Sequence, residues 1–267
     1  MTSAARLVAL DVDGTIVDYD DVLTEPVRDV VGQVARSGVH VVVATGRSLH
    51  TTLPILDRLG LTTGWAVCSN GSVTLRLDPG LERGYEIAEV VTFDPTPALR
   101  LLREHLPTAL YAVEDLGVGY RLTAPFPPGE LGGRQSFVAF EDLLHEPAAR
   151  VIVRSPDHTS DEFLELAERV GLHGVGYAVG WTAWLDLAPE GVSKASALEV
   201  VRARLGVAAG ATLAVGDGRN DLEMFAWAAR SVAMGQSVPE VLAAADEVTS
   251  SVGEDGLVPV LRSLLPR

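Results

Sequence analysis

The chain has 267 residues, 47% of them hydrophobic, which allows one large domain or two modest ones with real cores. Acidic residues outnumber basic residues by 36 to 21, and the net charge of −15 argues against nucleic acid or an anionic membrane as partner. No apolar run approaches the ~20 residues that span a bilayer, and 7–10 is too short for a secretory signal. We therefore expect a soluble, cytoplasmic protein, in which the single cysteine, Cys68, makes no internal disulfide.

Five short apolar runs predict buried strands. In chain order these runs are 7–10, 39–44, 65–68, 212–215 and 231–233. They are uninterrupted rather than alternating, which is typical of strands covered on both faces. Apolar residues with helical spacing lie between them, for example Val27, Val30, Val31 and Val34. The pattern predicts an α/β fold with a parallel sheet between layers of helices.

The middle of the chain predicts a second α/β unit. We expect a helix from 95 to about 105, strands at 109–113, 151–153, 175–179 and 183–187, and a second helix running to about 170. A capping box of Thr159 and Glu162 opens that second helix. We expect residues 87–187 to form this unit, inserted between the halves 1–86 and 188–267 of the first.

Two carboxylates follow the first predicted strand, in the segment Asp11-Val12-Asp13-Gly14-Thr15. Ligands of open α/β sheets bind at the carboxyl ends of the strands, where this segment begins. Residues two apart in an extended segment point the same way, so Asp11 could attack an electrophile while Asp13 handles a proton. An acidic turn closed by Asp-Gly is the plainer alternative.

The second strand ends in Thr45-Gly46-Arg47, which combines a hydroxyl, a closely approachable backbone and a guanidinium. Such a set fits a phosphate or oxyanion cradle, although it also occurs in ordinary turns into helices. The third run is followed by Ser69-Asn70-Gly71, a common turn sequence that would put Asn70 at the same sheet edge.

The fourth strand ends in Gly216-Asp217-Gly218-Arg219-Asn220-Asp221. Two carboxylates and an amide form an oxygen donor set, which suits Mg²⁺ better than a metal that prefers thiolate or imidazole. Lys194 is the only lysine among 21 basic residues. Because an ammonium is a compact point charge and a guanidinium is a wide fork, we expect Lys194 to fit between carboxylates and a phosphate.

These segments, in this order, resemble the haloacid dehalogenase superfamily, and within it the Cof-type phosphatases with an α/β cap. The matching motifs are Leu10-Asp11-Val12-Asp13-Gly14-Thr15, Val43-Ala44-Thr45-Gly46-Arg47, Gly191-Val192-Ser193-Lys194 and Gly216-Asp217-Gly218-Arg219-Asn220-Asp221. The resemblance covers nearly the whole chain. It implies a Rossmann-like catalytic core with an inserted cap that selects the substrate.

The resemblance also implies a role for each motif residue. Asp11 would be the nucleophile that becomes an aspartyl-phosphate, and Asp13 the general acid and base. The metal site would comprise Asp11, the backbone carbonyl of Asp13, Asp217 and, through the metal's water shell, Asp221. The phosphoryl group would be bound by Thr45, Gly46, Lys194 and Asn220, with Arg47 near it.

We therefore predict an Mg²⁺-dependent phosphatase, a phosphoric monoester hydrolase, that acts on a small phosphorylated metabolite such as a sugar phosphate. Two alternatives remain open at this point: a sugar phosphomutase that uses the same aspartate pair, and a catalytically silent metabolite-binding sensor. The sequence does not indicate an oligomeric state. The candidate residues for substrate selection in the cap are Tyr111, Arg121, Arg134, Trp181 and Trp184.

Overall fold

A computed structural model of the chain describes residues 5–159, 162, 163, 165, 175–179 and 183–266. The chain forms two compact units. The first comprises Met1–Gly46, Thr52–Glu89 and Ser193–Arg267, and the second comprises Arg47–Thr51 and Val90–Val192. Among the described residues, no helix is long and apolar enough to cross a membrane.

Each strand that the sequence pattern predicts is present, together with strands and helices that the pattern does not predict. The strands are β1 (Leu7–Leu10), β2 (His40–Ala44), β3 (Gly64–Cys68), β4 (Val73–Leu77), β5 (Tyr85–Val90), β6 (Leu110–Asp115), β7 (Gly119–Leu122), β8 (Arg134–Phe137), β9 (Val151–Arg154), β10 (Val175–Val179), β11 (Trp184–Pro189), β12 (Thr212–Gly216), β13 (Arg230–Ala233) and β14 (Glu247–Val248). The helices are α1 (Glu25–Arg36), α2 (Leu49–Leu59), α3 (Thr96–His105), α4 (Lys194–Arg204), α5 (Leu222–Trp227), α6 (Pro239–Ala244) and α7 (Leu257–Arg262).

The sheet of the first unit has the order β14-β13-β12-β1-β2-β3-β4-β5. The pairs from β14 through β3 are parallel, and β4 runs antiparallel to β3. All four residues of β1 are buried, as expected for a strand with helices over both faces. The α/β fold class with a Rossmann-like parallel core is confirmed.

The direction of strand addition reverses at β1. The chain proceeds outward from β1 through β2 and β3 on one side, and through β12 and β13 on the other. The carboxyl ends of β1 and β12 therefore lie at a topological switch point, the usual ligand-binding position of an open parallel sheet.

Helix α1 shows how local sequence produces the covering layer. The side chain of Thr24 caps its first turn by accepting a hydrogen bond from the Val27 backbone N–H. Val27, Val30, Val31 and Val34 recur at helical spacing and are all buried. This face packs the helix against the unit's core.

The second unit has its own sheet, with the order β10-β11-β9-β6-β7-β8. Helix α3 packs Leu99 and Leu102 into a core that includes Tyr111 and Val113 of β6. Tyr111 is fully buried and donates its hydroxyl hydrogen to the Leu106 carbonyl, so it serves this core and is not accessible to a substrate. The α/β character predicted for the insert is confirmed.

Only the start of the second helix predicted for this unit lies within the described residues. The capping box forms, since the Thr159 backbone N–H donates to Glu162 Oε2 over 2.8 Å, but most of the helix predicted to reach 170 lies outside the described residues, as does Trp181.

The segment Arg47–Thr51 groups with the second unit although its chain neighbours belong to the first. Thr51 lies so close to Gly132 that a methyl group added at Gly132 would meet the Thr51 side chain at 2.3 Å, in agreement with this grouping.

Candidate active site

The carboxyl ends of β1 and β12 bring Asp11 and Asp217 together. Asp11 continues the pairing of β1, since its backbone N–H donates to the Val215 carbonyl over 3.0 Å. Side-chain oxygens of Asp11, Asp217 and Asp221 all lie within 4.8 Å of one another, and all three residues are buried. Residues that are 206 positions apart in the chain therefore form one acidic cluster, because adjacent parallel strands end at the same edge.

Lys194 lies inside this cluster. Its ammonium Nζ donates to Asp11 Oδ1 over 2.6 Å and to Asp221 Oδ1 over 2.7 Å, and its side chain is 0% exposed. Lys194 is the first residue of α4, where Ser193 caps the helix by accepting from the Ser196 N–H. A cation in the first turn of a helix is disfavoured by the helix dipole, so the two carboxylates, not the helix, account for its position.

Asp221 binds Lys194 and also holds the loop after β12 in place. Its Oδ2 accepts hydrogen bonds from the backbone N–H groups of Asp217, at 3.0 Å, and Gly218, at 2.9 Å. A side chain at Gly216 would collide with the Asp221 carboxylate, 2.3 Å from its Oδ2. Both oxygens of Asp221 are thus engaged, which suits it to holding Lys194 and the Asp217 loop in place.

The cluster carries more negative than positive charge. Three carboxylates surround one ammonium, so two negative charges are in excess when all groups are ionised. Burial raises the pKa of Asp11 well above its usual range, and the neighbouring carboxylates add to that effect, although Lys194 opposes it. Burial also raises the pKa of Asp217 to about 6.

The pKa of the Lys194 ammonium is raised although the side chain is buried. Desolvation alone would lower the pKa of its ammonium, but the carboxylates of Asp11 and Asp221 outweigh desolvation and raise that pKa. The lysine therefore stays charged, and the excess negative charge is relieved by a proton on the carboxylates or by a bound cation.

The donor set fits a divalent cation. It consists of carboxylate oxygens, which hard cations such as Mg²⁺ prefer, and its two excess charges match the charge of one such ion. Asp13 is not a member of the carboxylate cluster. The ligand that the family resemblance assigns to this half-buried residue is its backbone carbonyl, not its carboxylate.

The remaining predicted residues lie on the loops of the same sheet edge, with one exception. Thr45 is fully buried at the end of β2, where its backbone N–H donates to the Val67 carbonyl of the adjacent strand. Asn220 donates from Nδ2 to Asn70 Oδ1 over 3.0 Å, and the Asn70 amide lies against Gly46. Arg47 is the exception, since it belongs to the second unit.

Tyr19 and Gln236 belong to the site but carry no signal in the sequence. The Tyr19 hydroxyl donates to Asp217 Oδ2 over 2.6 Å, and Gln236 Nε2 donates to the Gly14 carbonyl over 2.7 Å. Gly14 has a φ of +81°, and a side chain there would lie 2.2 Å from Asp217 Oδ2. The Asp-Gly pair of the first motif is therefore required by the close approach of Asp217, a reason that only the folded chain reveals.

Known proteins that resemble the chain include haloacid dehalogenase-like hydrolases and phosphatases. The haloacid dehalogenase-like hydrolase family matches residues 8–83 and 134–261 of the chain. Over 274 residues the chain is 30% identical to "Putative phosphatase YkrA" of Bacillus subtilis (strain 168), covering 97% of this chain and 98% of that protein. It is 28% identical to a phosphoglycolate phosphatase of Halobacterium salinarum, covering 97% and 96% of the two chains. A haloacid dehalogenase-like hydrolase from B. subtilis shares the fold with a TM-score of 0.82 at 21% identity, over 97% of this chain and 100% of that chain.

Proposed function

Because the chain belongs to the haloacid dehalogenase-like hydrolases, we propose that this phosphatase hydrolyses small phosphorylated metabolites with Mg²⁺ and through a phosphorylated Asp11. The observation that carries the proposal is the buried Asp11 carboxylate, held by Lys194 at 2.6 Å within a three-carboxylate cluster at the switch point of the sheet. The phosphoglycolate phosphatase among the relatives supports a small organic phosphate as substrate. Choice among such substrates is assigned to the inserted second unit.

In the first half-reaction, a carboxylate oxygen of Asp11 attacks the phosphorus atom. The bond between this oxygen and phosphorus forms as the bond between phosphorus and the ester oxygen breaks, which leaves an acyl phosphate on Asp11. The departing ester oxygen takes a proton from the Asp13 carboxyl group and leaves as an alcohol. Asp13 precedes Gly14, whose positive φ turns the chain directly after it.

In the second half-reaction, water attacks the phosphorus atom of the acyl phosphate. The Asp13 carboxylate accepts one proton of that water, the bond between phosphorus and the Asp11 oxygen breaks, and inorganic phosphate is released. Asp11 and Asp13 return to their starting states, so the cycle consumes one water for each ester bond broken.

The other site residues bind and orient the phosphoryl group. Lys194 supplies a fixed positive charge next to Asp11, while the Thr45 hydroxyl, the Gly46 backbone N–H and the Asn220 amide supply hydrogen bonds. Asp11, Asp217 and the Asp13 carbonyl would hold Mg²⁺, and Asp221 would support its water shell. When bound, the metal supplies positive charge that offsets the phosphoryl oxygens.

The charges decide whether a phosphate dianion can approach an aspartate. Unit charges about 4 Å apart interact by about 4 kcal/mol at an effective dielectric of about 20. One divalent cation and Lys194 together provide three positive charges, which balance the three carboxylates of the cluster, so the dianion does not meet a net negative charge there. The net charge of −15 is spread over the surface and is screened beyond about 8 Å at physiological salt, so it slows substrate arrival without preventing binding.

The proposal is tested by measuring phosphate release from a panel of phosphorylated metabolites and an aryl phosphate, with Mg²⁺ and after exhaustive chelation. We expect turnover with Mg²⁺, and a phosphoryl group on the Asp11 peptide after acid quenching, removable by hydroxylamine. Full activity after chelation, or a phosphoryl group on serine, threonine or histidine, would contradict it. Transfer to an added sugar without phosphate release would identify a mutase instead.

A further inference from the structure

The turn that follows β3 adopts an unusual backbone conformation. Ser69, Asn70 and Gly71 have φ values of +49°, +52° and +106°. Two of these residues are not glycine, and each non-glycine residue in the left-handed region costs about 1 kcal/mol. An ordinary Asn-Gly turn between strands needs a positive φ only at Asn and Gly, and not at the residue before them. Contacts with neighbouring loops must therefore hold the conformation of Ser69.

Those neighbouring loops are the ones that carry the site. The Asn70 backbone N–H donates to the Thr45 carbonyl over 3.0 Å. On the other side, a side chain at Gly71 would lie 2.2 Å from the Ser193 carbonyl, directly before Lys194. The turn is therefore fixed between the loop after β2 and the start of α4.

The amide group of Asn70 lies between two residues assigned above to phosphoryl binding. Its Oδ1 accepts a hydrogen bond from Asn220 Nδ2 over 3.0 Å. A methyl group added at Gly46 would lie 3.1 Å from Asn70 Oδ1 and 3.3 Å from Asn70 Nδ2, so the amide lies against the Gly46 backbone. Among the hydrogen bonds of the described residues, Oδ1 accepts one, whereas Nδ2 donates none.

We propose that Asn70 is a further phosphoryl-binding residue, which holds Asn220 through Oδ1 and donates a hydrogen bond from Nδ2 to a phosphoryl oxygen beside Gly46. The proposal rests on the phosphatase function above. An amide suits this position because Nδ2 is a neutral donor that phosphate can accept from, whereas a carboxylate there would repel phosphate. Asparagine also tolerates the positive φ better than most residues.

The decisive experiment measures the affinity of the protein for inorganic phosphate by titration calorimetry in the presence of Mg²⁺. Asn70→Gly deletes the amide while glycine accepts the positive φ, so the fold is kept. We expect this variant to bind phosphate about tenfold more weakly, with an unchanged melting temperature. His145→Gly is the matched control, because His145 is exposed and also has a positive φ of +73°, and its affinity should equal that of the unmodified protein.

A double-mutant cycle separates direct binding from positioning of Asn220. If Asn70 only held Asn220, then adding Asn70→Gly to Asn220→Ala would cause no further loss of phosphate affinity, and the proposal would be overturned. We expect the double variant to bind at least about threefold more weakly than Asn220→Ala alone. Asn70→Asp, which keeps the acceptor for Asn220 but loses the donor, should also bind weakly; affinity equal to that of the unmodified protein would overturn the proposal.

The result distinguishes this proposal from the function on which it rests. If the unmodified protein neither binds phosphate nor releases it from any ester, the proposed function fails. If it does both and the Asn70 variants bind phosphate as well as it does, only the role of Asn70 fails.

Discussion

The Tyr19 hydroxyl donates a hydrogen bond to Oδ2 of Asp217 over 2.6 Å, although Tyr19 is 56% exposed and lies 198 positions away in the chain. This contact fixes one oxygen of a carboxylate that would bind the metal. Asp217 is thereby oriented from the loop after β1, not only from the loop after β12.

Replacing Tyr19 by phenylalanine should weaken Mg²⁺ binding about three- to tenfold, because an oriented, hydrogen-bonded carboxylate loses less freedom when it binds an ion. Calorimetric titration of the metal measures this directly, without reference to turnover. Tyr85→Phe is the control, since the described residues give the Tyr85 hydroxyl no hydrogen bond. Unchanged affinity in the Tyr19 variant would show that the contact does not orient Asp217.

In the metal-free protein, ionised Asp217 should lower the free energy of unfolding at neutral pH. Burial raises the pKa of this carboxyl from 3.8 to about 6, so the folded protein holds its proton more tightly than the unfolded chain does. The penalty on the folded state is absent below about pH 4 and complete above about pH 6, where it amounts to about 3 kcal/mol. The folded state thus loses this amount as the pH rises through that window.

Asp217→Asn, which imitates the protonated carboxyl, tests this dependence in the presence of a chelator. At about pH 7.5 the variant should melt at a higher temperature than the unmodified protein, and the difference should shrink at about pH 5. Added Mg²⁺ should raise the melting temperature of the unmodified protein but not that of the variant. A difference in melting temperature that does not change with pH would contradict the raised pKa.

The two aspartates of the first motif should fail at different steps. Asp11→Asn removes the attacking oxygen and should abolish turnover of every substrate. Asp13→Asn removes the proton donor and acceptor, so it should block hydrolysis of the acyl phosphate while still allowing Asp11 to be labelled by an aryl phosphate with a good leaving group. Mass spectrometry of the quenched protein distinguishes the variants, and equal labelling of both would refute these roles.

Lys194→Arg should lower kcat/KM at least about tenfold, equivalent to about 1.4 kcal/mol, although the charge is kept. The fully buried ammonium lies 2.6 Å and 2.7 Å from two carboxylates, and a planar guanidinium cannot replace it without moving one of them. Lys194→Ala should be worse. Arg28→Lys makes the reverse exchange at an exposed position and should leave kcat/KM unchanged. Full activity of Lys194→Arg would show that the site does not require an ammonium.

Much of this architecture follows from short-range sequence patterns. Uninterrupted apolar runs predict strands that parallel neighbours bury, and such strands end at one edge, so the proximity of Asp11 and Asp217 could be inferred without coordinates. The solitary Lys194 could likewise be assigned to the acidic cluster from the chemistry of its side chain, and the structure places it there.

The contacts that the sequence did not predict depend on the paths of loops. Tyr19 reaches Asp217 because Gly14 turns the chain, and Asn70 reaches Asn220 because two residues take a left-handed conformation. No periodicity or spacing encodes such contacts. Tyr111, a candidate for substrate selection, lies on β6 in the core beside α3 and is buried. The face on which a strand residue lies depends on the register of the whole sheet.

The pairing of β1 with β12 also constrains how the protein is made. Leu7 lies opposite Thr212, so β1 cannot pair with β12 until β12 has left the ribosome, roughly 10 to 40 seconds after β1 at ordinary rates of synthesis. Residues 90–192 emerge earlier and contain a core of their own. We therefore expect the second unit to fold during translation while the edge of β1 that later pairs with β12 stays exposed, the stage at which the nascent chain most needs a chaperone.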